Sequence, residues 1–206
     1  MSHANGRVHN AGAEGEQGDD ACLVALAQGN SAAFAHLYDR YVEPVYWFCY
    51  RRLESVPAAE DATSAIFMKA LAALPRYNSQ GGSFRSWLFA IAHNMVLEHL
   101  RQAARRGNRS LESVAETADD ARSIEATVIA GDEQSALQAA LVHLTEEQRQ
   151  VIELRLAGLK GPEIAMALGI SHAAVRTAQR RALLRLRALL DIDLDAAATP
   201  ERRNNG

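Results

Sequence analysis

Residues 158–187, GLKGPEIAMALGISHAAVRTAQRRALLRLR, decide the fold. They read as a short helix, a tight turn and a long second helix. Gly161 stands where the first helix can be capped. Pro162 suits its first turn, where a missing N–H costs nothing. Ile164, Ala165 and Leu168 supply its buried face. Gly169 allows a backbone turn that a Cβ obstructs, and Ser171 is a natural N-cap for the second helix. In that helix Val175, Ala178, Ala182, Leu186 and Leu189 recur at helical spacing, a stripe meant for a core. Five arginines and no acid lie between Ala173 and Leu190. Arg176, Arg180 and Arg187 flank the stripe on one side, Arg181 and Arg185 on another. A helix-turn-helix whose second helix is basic is a device for entering the DNA major groove. The plainer alternative is a solvated basic face on a structural helix. Turn, small residues and charge all agree on the DNA reading, which favours it.

The 206 residues suffice for one large or two small domains. Net charge is −3, which decides nothing by itself; its distribution does. Between Gly107 and Ala136, seven carboxylates face two arginines, so an acidic strip separates two more basic parts. Cys22 and Cys49 each sit in an apolar helical pattern, where a free thiol behaves as a small hydrophobe, and a redox pair is the weaker alternative. No Cys/His spacing suggests zinc. No apolar run is long enough for a membrane span, and the N-terminus has no apolar signal region. The expectation is a cytoplasmic protein without membrane insertion.

Outward from the opening stretch, the helical period continues almost everywhere. Residues 1–19 are rich in Gly, Asn, Ala and acids and are expected to be disordered. From 20 to 106 the pattern is helical throughout. Gly29-Asn30 breaks the first helix and Ser31 can cap the second, whose stripe is Phe34, Leu37, Tyr38, Tyr41, Val45 and Phe48. Pro57 interrupts before a third helix, Ala58–Leu74, and PRYNSQGGS (75–83) is a loop by composition. The next helix runs from Phe84 to about Arg105, with Phe84, Trp87, Leu88, Ile91 and Met95 as its buried stripe. Residues 107–134 read as a linker with room for a helical turn or two. Helices resume over 135–190, where Thr145 followed by Gln148 marks a capped start. Residues 191–206 form a polar tail. No strand-like alternation appears. The expected fold is all-α: two helical domains joined by a flexible acidic linker, the second a helix-turn-helix.

Four segments in this order resemble the extracytoplasmic-function (ECF) sigma factors, the small two-domain branch of the sigma-70 family. They are ALAQGNSAAFAHLYDRYVEPVY (25–46), EDATSAIFMKALAALPRY (60–77), SFRSWLFAIAHNMVLEHLRQAARR (83–106) and LTEEQRQVIELRLAGLKGPEIAMALGISHAAVRTAQRRALLRLR (144–187). The resemblance covers roughly Cys22–Leu190, loosely in the linker. It implies a region 2 domain over 20–106 and a region 4 domain over 135–190. The second segment would bind core RNA polymerase, the third would melt the promoter, and the fourth would bind its −35 element.

The resemblance also implies roles for single residues. Asp61, Phe67 and Lys69 match the polymerase-binding pattern, although Phe67, an aromatic at helical spacing, also reads as core, and Ser64-Ala65 stands where members often have Gln-Glu. The loop holding Tyr77, Asn78 and Ser83, together with Asn94, would hold a base flipped out of the −10 element. Unstacking a base costs a few kcal/mol. Stacking, edge hydrogen bonds and cationic contacts to the freed strand offset it. Arg85, His99, Arg101, Arg105 and Arg106 would supply the cations, and at Trp87 core packing competes with base contact. In the terminal domain His172, Ala173, Arg176 and Thr177 begin the second helix and should face base edges. Arginine can bind guanine O6 and N7 together. Arg180 and Arg181 are better placed for phosphates, which position without reading sequence.

The implied partners are core RNA polymerase, promoter DNA and an anti-sigma factor, the chain being a monomer when free or 1:1 with a partner. No nucleophile–base pair, phosphate loop or metal cluster is visible, so the expectation is a non-enzyme without cofactors. A free-standing helix-turn-helix repressor or activator is the competing reading, and a helical protein-binding adaptor a third. The third leaves the Arg176–Arg187 face unexplained. A repressor has no need of the Asp61 and Trp87–Asn94 segments.

Overall fold

The computed structural model describes residues 11–78, 82–112 and 131–197, with side chains over 19–78, 82–105 and 137–189. Eight α-helices are found among them, and no strand: α1 Ala11–Gly29, α2 Phe34–Leu53, α3 Val56–Ala73, α4 Phe84–Glu112, α5 Gly131–Val142, α6 Glu146–Leu156, α7 Gly161–Leu168 and α8 His172–Ala197. The all-α expectation therefore holds.

Several boundaries differ from the sequence reading, each for a local reason. Helix α1 starts inside the segment expected to be disordered, and residues 1–10 lie outside the described residues. Asn30, not Ser31, makes the cap after Gly29: its Oδ1 accepts from the Ala32 N–H at 3.0 Å. Pro57 opens α3 rather than preceding it. Ser55 is the N-cap, accepting from the Ala58 N–H at 3.4 Å, and a first-turn proline forfeits no hydrogen bond. Gly161 is the first residue of α7 rather than its cap; Lys160 stands at the cap, and its N–H donates to Glu163 Oε2 at 2.8 Å. Helix α4 continues to Glu112 and α5 begins at Gly131, so helix reaches into both ends of the expected linker. Residues 113–130, and the tail beyond Ala197, lie outside the described residues.

The stripe of α2 packs largely as its spacing demands. Phe34, Leu37, Tyr41, Val45, Phe48 and Cys49 are buried, while Tyr38 is left exposed. In α4 the buried line is Phe84, Leu88, Phe89, Ala92 and Val96; Trp87, Ile91 and Met95 are only half-buried beside it. The stripe is thus rotated by about one residue from the expected one. The aromatic ring pairs account for this. Phe89 meets Phe48 edge-on at 5.7 Å, while Trp87 lies at 4.9 Å from Tyr77 and 5.5 Å from Phe84 on the rim.

The two halves are not separate bodies. One apolar cluster runs from Val24 through Val96 and continues into Val151, Leu154, Ala157, Leu159, Ile164, Ala167, Val175 and Ala178. Helix α7 packs on α4, and α6 touches α2. A second, small cluster (Leu141, Leu144, Ile152, Ala182) lies wholly within the C-terminal half.

Candidate nucleic-acid and polymerase interface

The helix-turn-helix follows from its local chemistry. Gly169 ends α7 in the left-handed region, at φ 66°, where a Cβ is costly. Ser171 then caps α8, its Oγ accepting from the Ala174 N–H at 3.1 Å. Val175, Ala178 and Ala182 face inward. The turn is braced from behind by Arg155, which donates to the Leu159 carbonyl at 3.0 Å and to Gln179 Oε1 at 2.8 Å. His172 stands so close to the start of α7 that a methyl group on Gly161 would lie 2.6 Å from its Nε2. A side chain there would have to displace the exposed imidazole of His172. All six candidate residues of this element, His172, Ala173, Arg176, Thr177, Arg180 and Arg181, are exposed. Thr177 Oγ1 is turned back onto its own helix, donating to the Ala173 carbonyl at 3.0 Å.

The candidate strand-opening residues fall into two groups on α4. Asn94, His99, Arg101 and Arg105 are exposed farther along the helix, and 94, 101 and 105 repeat at helical spacing, so they share one strip. The side chain of Arg106 lies outside those described. The other group gathers at the N-terminus of α4, about 14 Å away along the axis. There Tyr77 donates to the Gly82 carbonyl at 3.1 Å, and Asn78 is exposed. Ser83 donates to the Glu163 carboxylate. Arg85 donates to the Gly158 carbonyl at 3.2 Å and lies 5.6 Å from the Tyr41 ring centre. Residues 79–81 lie outside the described residues. The two groups are therefore in different situations: one faces solvent, the other is engaged by the C-terminal half. Trp87, half-buried, packs its ring against Tyr77 and Phe84.

On α3, Asp61, Ser64 and Lys69 are exposed. Phe67 is not available to a partner: it is 4% exposed, its ring edge-on to Phe34 and Tyr38 at 6.3 and 4.7 Å. It shapes the helix face from beneath instead of forming it. Met68, 73% exposed, and Leu71, 40% exposed, lie on this helix beside the polar positions. They escaped notice because an apolar residue in an apolar helix reads as core.

A cluster of charges joins the halves, and the sequence offers no periodic signal for it. Arg52 is buried and meets Glu146 through two hydrogen bonds of 3.2 and 2.5 Å. Its Nη1 also lies 3.4 Å from Glu153, a carboxylate with no solvent exposure. Arg149 donates to Glu153 at 2.7 Å and to the Arg51 carbonyl at 2.7 Å, and pairs with Glu54 at 3.5 Å. Burial raises the Glu153 carboxyl above its ordinary range against the pull of Arg52, Arg149 and Arg51. Burial also pushes Glu146 upward, but the Arg52 and Gln150 hydrogen bonds and the arginine charges bring it below the usual value. Burial, then the Arg52 charge, lowers His93.

Cys49 is buried, and that burial pushes its thiol up to about 12, whereas Cys22 is exposed. Such a thiol is not a ready nucleophile. Among the described residues there is no group of acids, histidines and cysteines that could hold a metal ion, and no helix long and apolar enough to cross a membrane.

Known proteins place this arrangement. Residues 37–106 match the sigma-70 region 2 family and residues 134–186 the sigma-70 region 4 family. The chain is 35% identical over 173 residues to the ECF RNA polymerase sigma factor BldN of Streptomyces coelicolor, covering 83% of this chain and 66% of that protein. It is 31% identical over 175 residues to the ECF RNA polymerase sigma factor SigK of Mycobacterium tuberculosis, covering 84% of this chain and 94% of that one. Among solved structures, CnrH in complex with the cytosolic domain of CnrY superposes with a TM-score of 0.64 at 28% identity, over 84% of this chain and 98% of that one. The chain belongs to the sigma-70 family, in its extracytoplasmic-function branch. It is thus a sigma factor, a subunit that directs promoter recognition in transcription initiation.

Proposed function

We propose that this sigma factor divides its work among three faces. The exposed side of α3, with Asp61, Ser64 and Lys69 and the apolar Met68 and Leu71 beside them, docks on core RNA polymerase. The start of α8 enters the major groove of the −35 element: His172, Ala173, Arg176 and Thr177 meet base edges, and Arg180 and Arg181 meet phosphates. Helix α4 and the preceding loop open the −10 element. Tyr77, Asn78, Ser83 and Asn94 hold the extruded base and its neighbours, while Arg85, His99, Arg101 and Arg105 neutralise the freed strand. Trp87 supports that pocket from the core side. The domains so defined are 20–106 and 135–190, the intervening 107–134 being the connection.

The observation carrying this reading is the exposed strip Asn94–Arg101–Arg105 on the same chain as an exposed basic helix-turn-helix. A repressor needs only the second. The phosphodiester chemistry belongs to the polymerase, so the chain acts without catalysis or cofactor. It works in the cytoplasm, as a monomer when free. Since CnrH was captured with the cytosolic domain of CnrY, an anti-sigma factor binding 1:1 is the natural inhibitory partner.

Run-off transcription with core polymerase on genomic promoter DNA tests the reading. Transcripts with defined starts are expected only when the protein is added. If none appear, and the pure protein binds duplex DNA alone as a dimer, the repressor reading replaces this one.

A further inference from the structure

The segment leading into the base-holding loop is gripped by a side chain from another helix. Near the end of α1, Gln28 reaches across to the short 3-10 helix Leu74–Arg76. Its Nε2 donates to the Leu74 carbonyl at 3.0 Å and to the Tyr77 carbonyl at 2.8 Å. A primary amide carries two N–H donors on one nitrogen, and here both go to one stretch of backbone. Both partners are acceptors, so the amide oxygen cannot take the nitrogen's place. Carbonyls at a helix end lack partners within the helix. The chain also turns extended at this point, Tyr77 lying at φ −66° and ψ 134°. Tyr77 then closes the far side of the loop, its hydroxyl donating to the Gly82 carbonyl at 3.1 Å, and its ring lies 4.9 Å from that of Trp87. The helix that carries Gln28 is itself anchored. Asp20, buried, accepts from Arg40 at 2.6 Å and from the Tyr41 hydroxyl, and Val24 and Ala27 are buried after it. Gln28 is exposed, so its two hydrogen bonds rather than burial account for where it sits. It stands ahead of residue 37, where the match to region 2 begins.

We infer that Gln28 is a positioning residue for −10 recognition: by donating to the Leu74 and Tyr77 carbonyls it fixes the entry of the loop, and with it the Tyr77 and Asn78 that hold the extruded base. The inference rests on the roles proposed above for Tyr77 and Asn78. A loop fixed before the base arrives loses less freedom on capturing it. It also cannot reshape itself around a wrong base, so the grip acts on discrimination as well as on strength.

The test compares three variants in transcription with core polymerase, on promoters carrying single-base changes at −10 or at −35. Gln28→Leu keeps the bulk and removes both donors. Gln28→Glu sets a carboxylate against two carbonyls. Gln28→Lys keeps a donor, an ammonium with three N–H bonds. The first two should reduce the preference among −10 variants on the order of tenfold, the scale of one or two net hydrogen bonds, and leave the −35 preference unchanged. Gln28→Lys should retain the −10 preference. An equal loss at every promoter, or a loss that Gln28→Lys shares, would make Gln28 merely structural and overturn the inference. Trp87 reports on the same grip in the free protein. In a Trp47→Phe background it is the sole tryptophan, and acrylamide should quench it more readily after Gln28→Leu but not after Gln28→Lys. Unchanged quenching after Gln28→Leu would also overturn the inference, whatever that variant does in transcription. Asn78→Ala separates the inference from the reading beneath it. Flattened −10 preference in Asn78→Ala but not in Gln28→Leu keeps the site and overturns the role of Gln28. Flattening in Gln28→Leu alone removes Asn78 from the site and keeps Gln28 as the residue that sets Tyr77.

Discussion

Arg176 and Arg180 stand about one turn apart on α8 and are expected to fail differently. Losing a two-point contact to a base costs about 1–3 kcal/mol and relaxes preference at that base. Losing a phosphate contact weakens all sequences alike and lowers the salt slope by about one unit. Arg176→Ala should therefore flatten discrimination among single-base −35 variants, and Arg180→Ala should lower output uniformly. A panel of such promoters separates them; uniform scaling by Arg176→Ala would return that residue to the phosphates. His93 makes a second prediction. Burial and then the charge of Arg52 lower its pKa from 6.5, Glu146 pulling the other way and Arg101 adding to the decrease. The folded chain thus favours the neutral ring. That contribution is complete above the unfolded value and lost as pH falls through the folded one. Glu146 acts in the same sense at lower pH, while the raised Glu153 opposes both, since the folded chain accepts its proton more readily. The melting temperature should drop between pH 7.5 and 5.5, and His93→Gln should reduce the drop. An undiminished drop would assign the sensitivity to another group. Among single side chains, the basic residues of α8 were legible in the sequence, because an arginine opposite a small-residue stripe has nowhere to go but outward. The charges of Arg52 and Glu153 were not, because their partners lie about a hundred positions apart.

Helices were legible as existing elements and less so in their edges. Capping residues compete over one or two positions, and Asn30 won over Ser31 because its side chain reaches the Ala32 N–H. The stripe of α4 was misplaced by about one residue because its aromatic content spans two adjacent faces; only the neighbours decide which face is core. Phe48, fully inside and edge-on to Phe89, is such a neighbour. For α3 the consequence is functional. Asp61 and Lys69 project from a helix whose underside is fixed by Phe67, so changing them should alter binding without altering folding. Reversing both charges is expected to weaken association with core polymerase while circular dichroism stays the same. Undiminished co-purification with core would remove α3 from the docking surface.

Across the whole molecule, the order of helices and the terminal helix-turn-helix could be read from periodicity and turn residues. The apposition of the two halves could not. The hydrogen bonds that hold it join residues 73 to 98 positions apart, and helical spacing marks a buried face without naming the face it meets. The continuous apolar cluster across that junction has a calorimetric consequence. Domains that fold independently melt independently, but here Val151, Leu154, Ile164 and Val175 belong to the same cluster as Leu37 and Phe89. The halves should therefore unfold as one cooperative unit, with a single heat-absorption peak and calorimetric enthalpy equal to the van't Hoff value. Separating them by Glu146→Arg should resolve that peak into two, the C-terminal half melting first. Left to itself, that half loses its share of the common cluster. Among the described residues, its own second cluster consists of Leu141, Leu144, Ile152 and Ala182, with Leu137 and Leu186 packed against it.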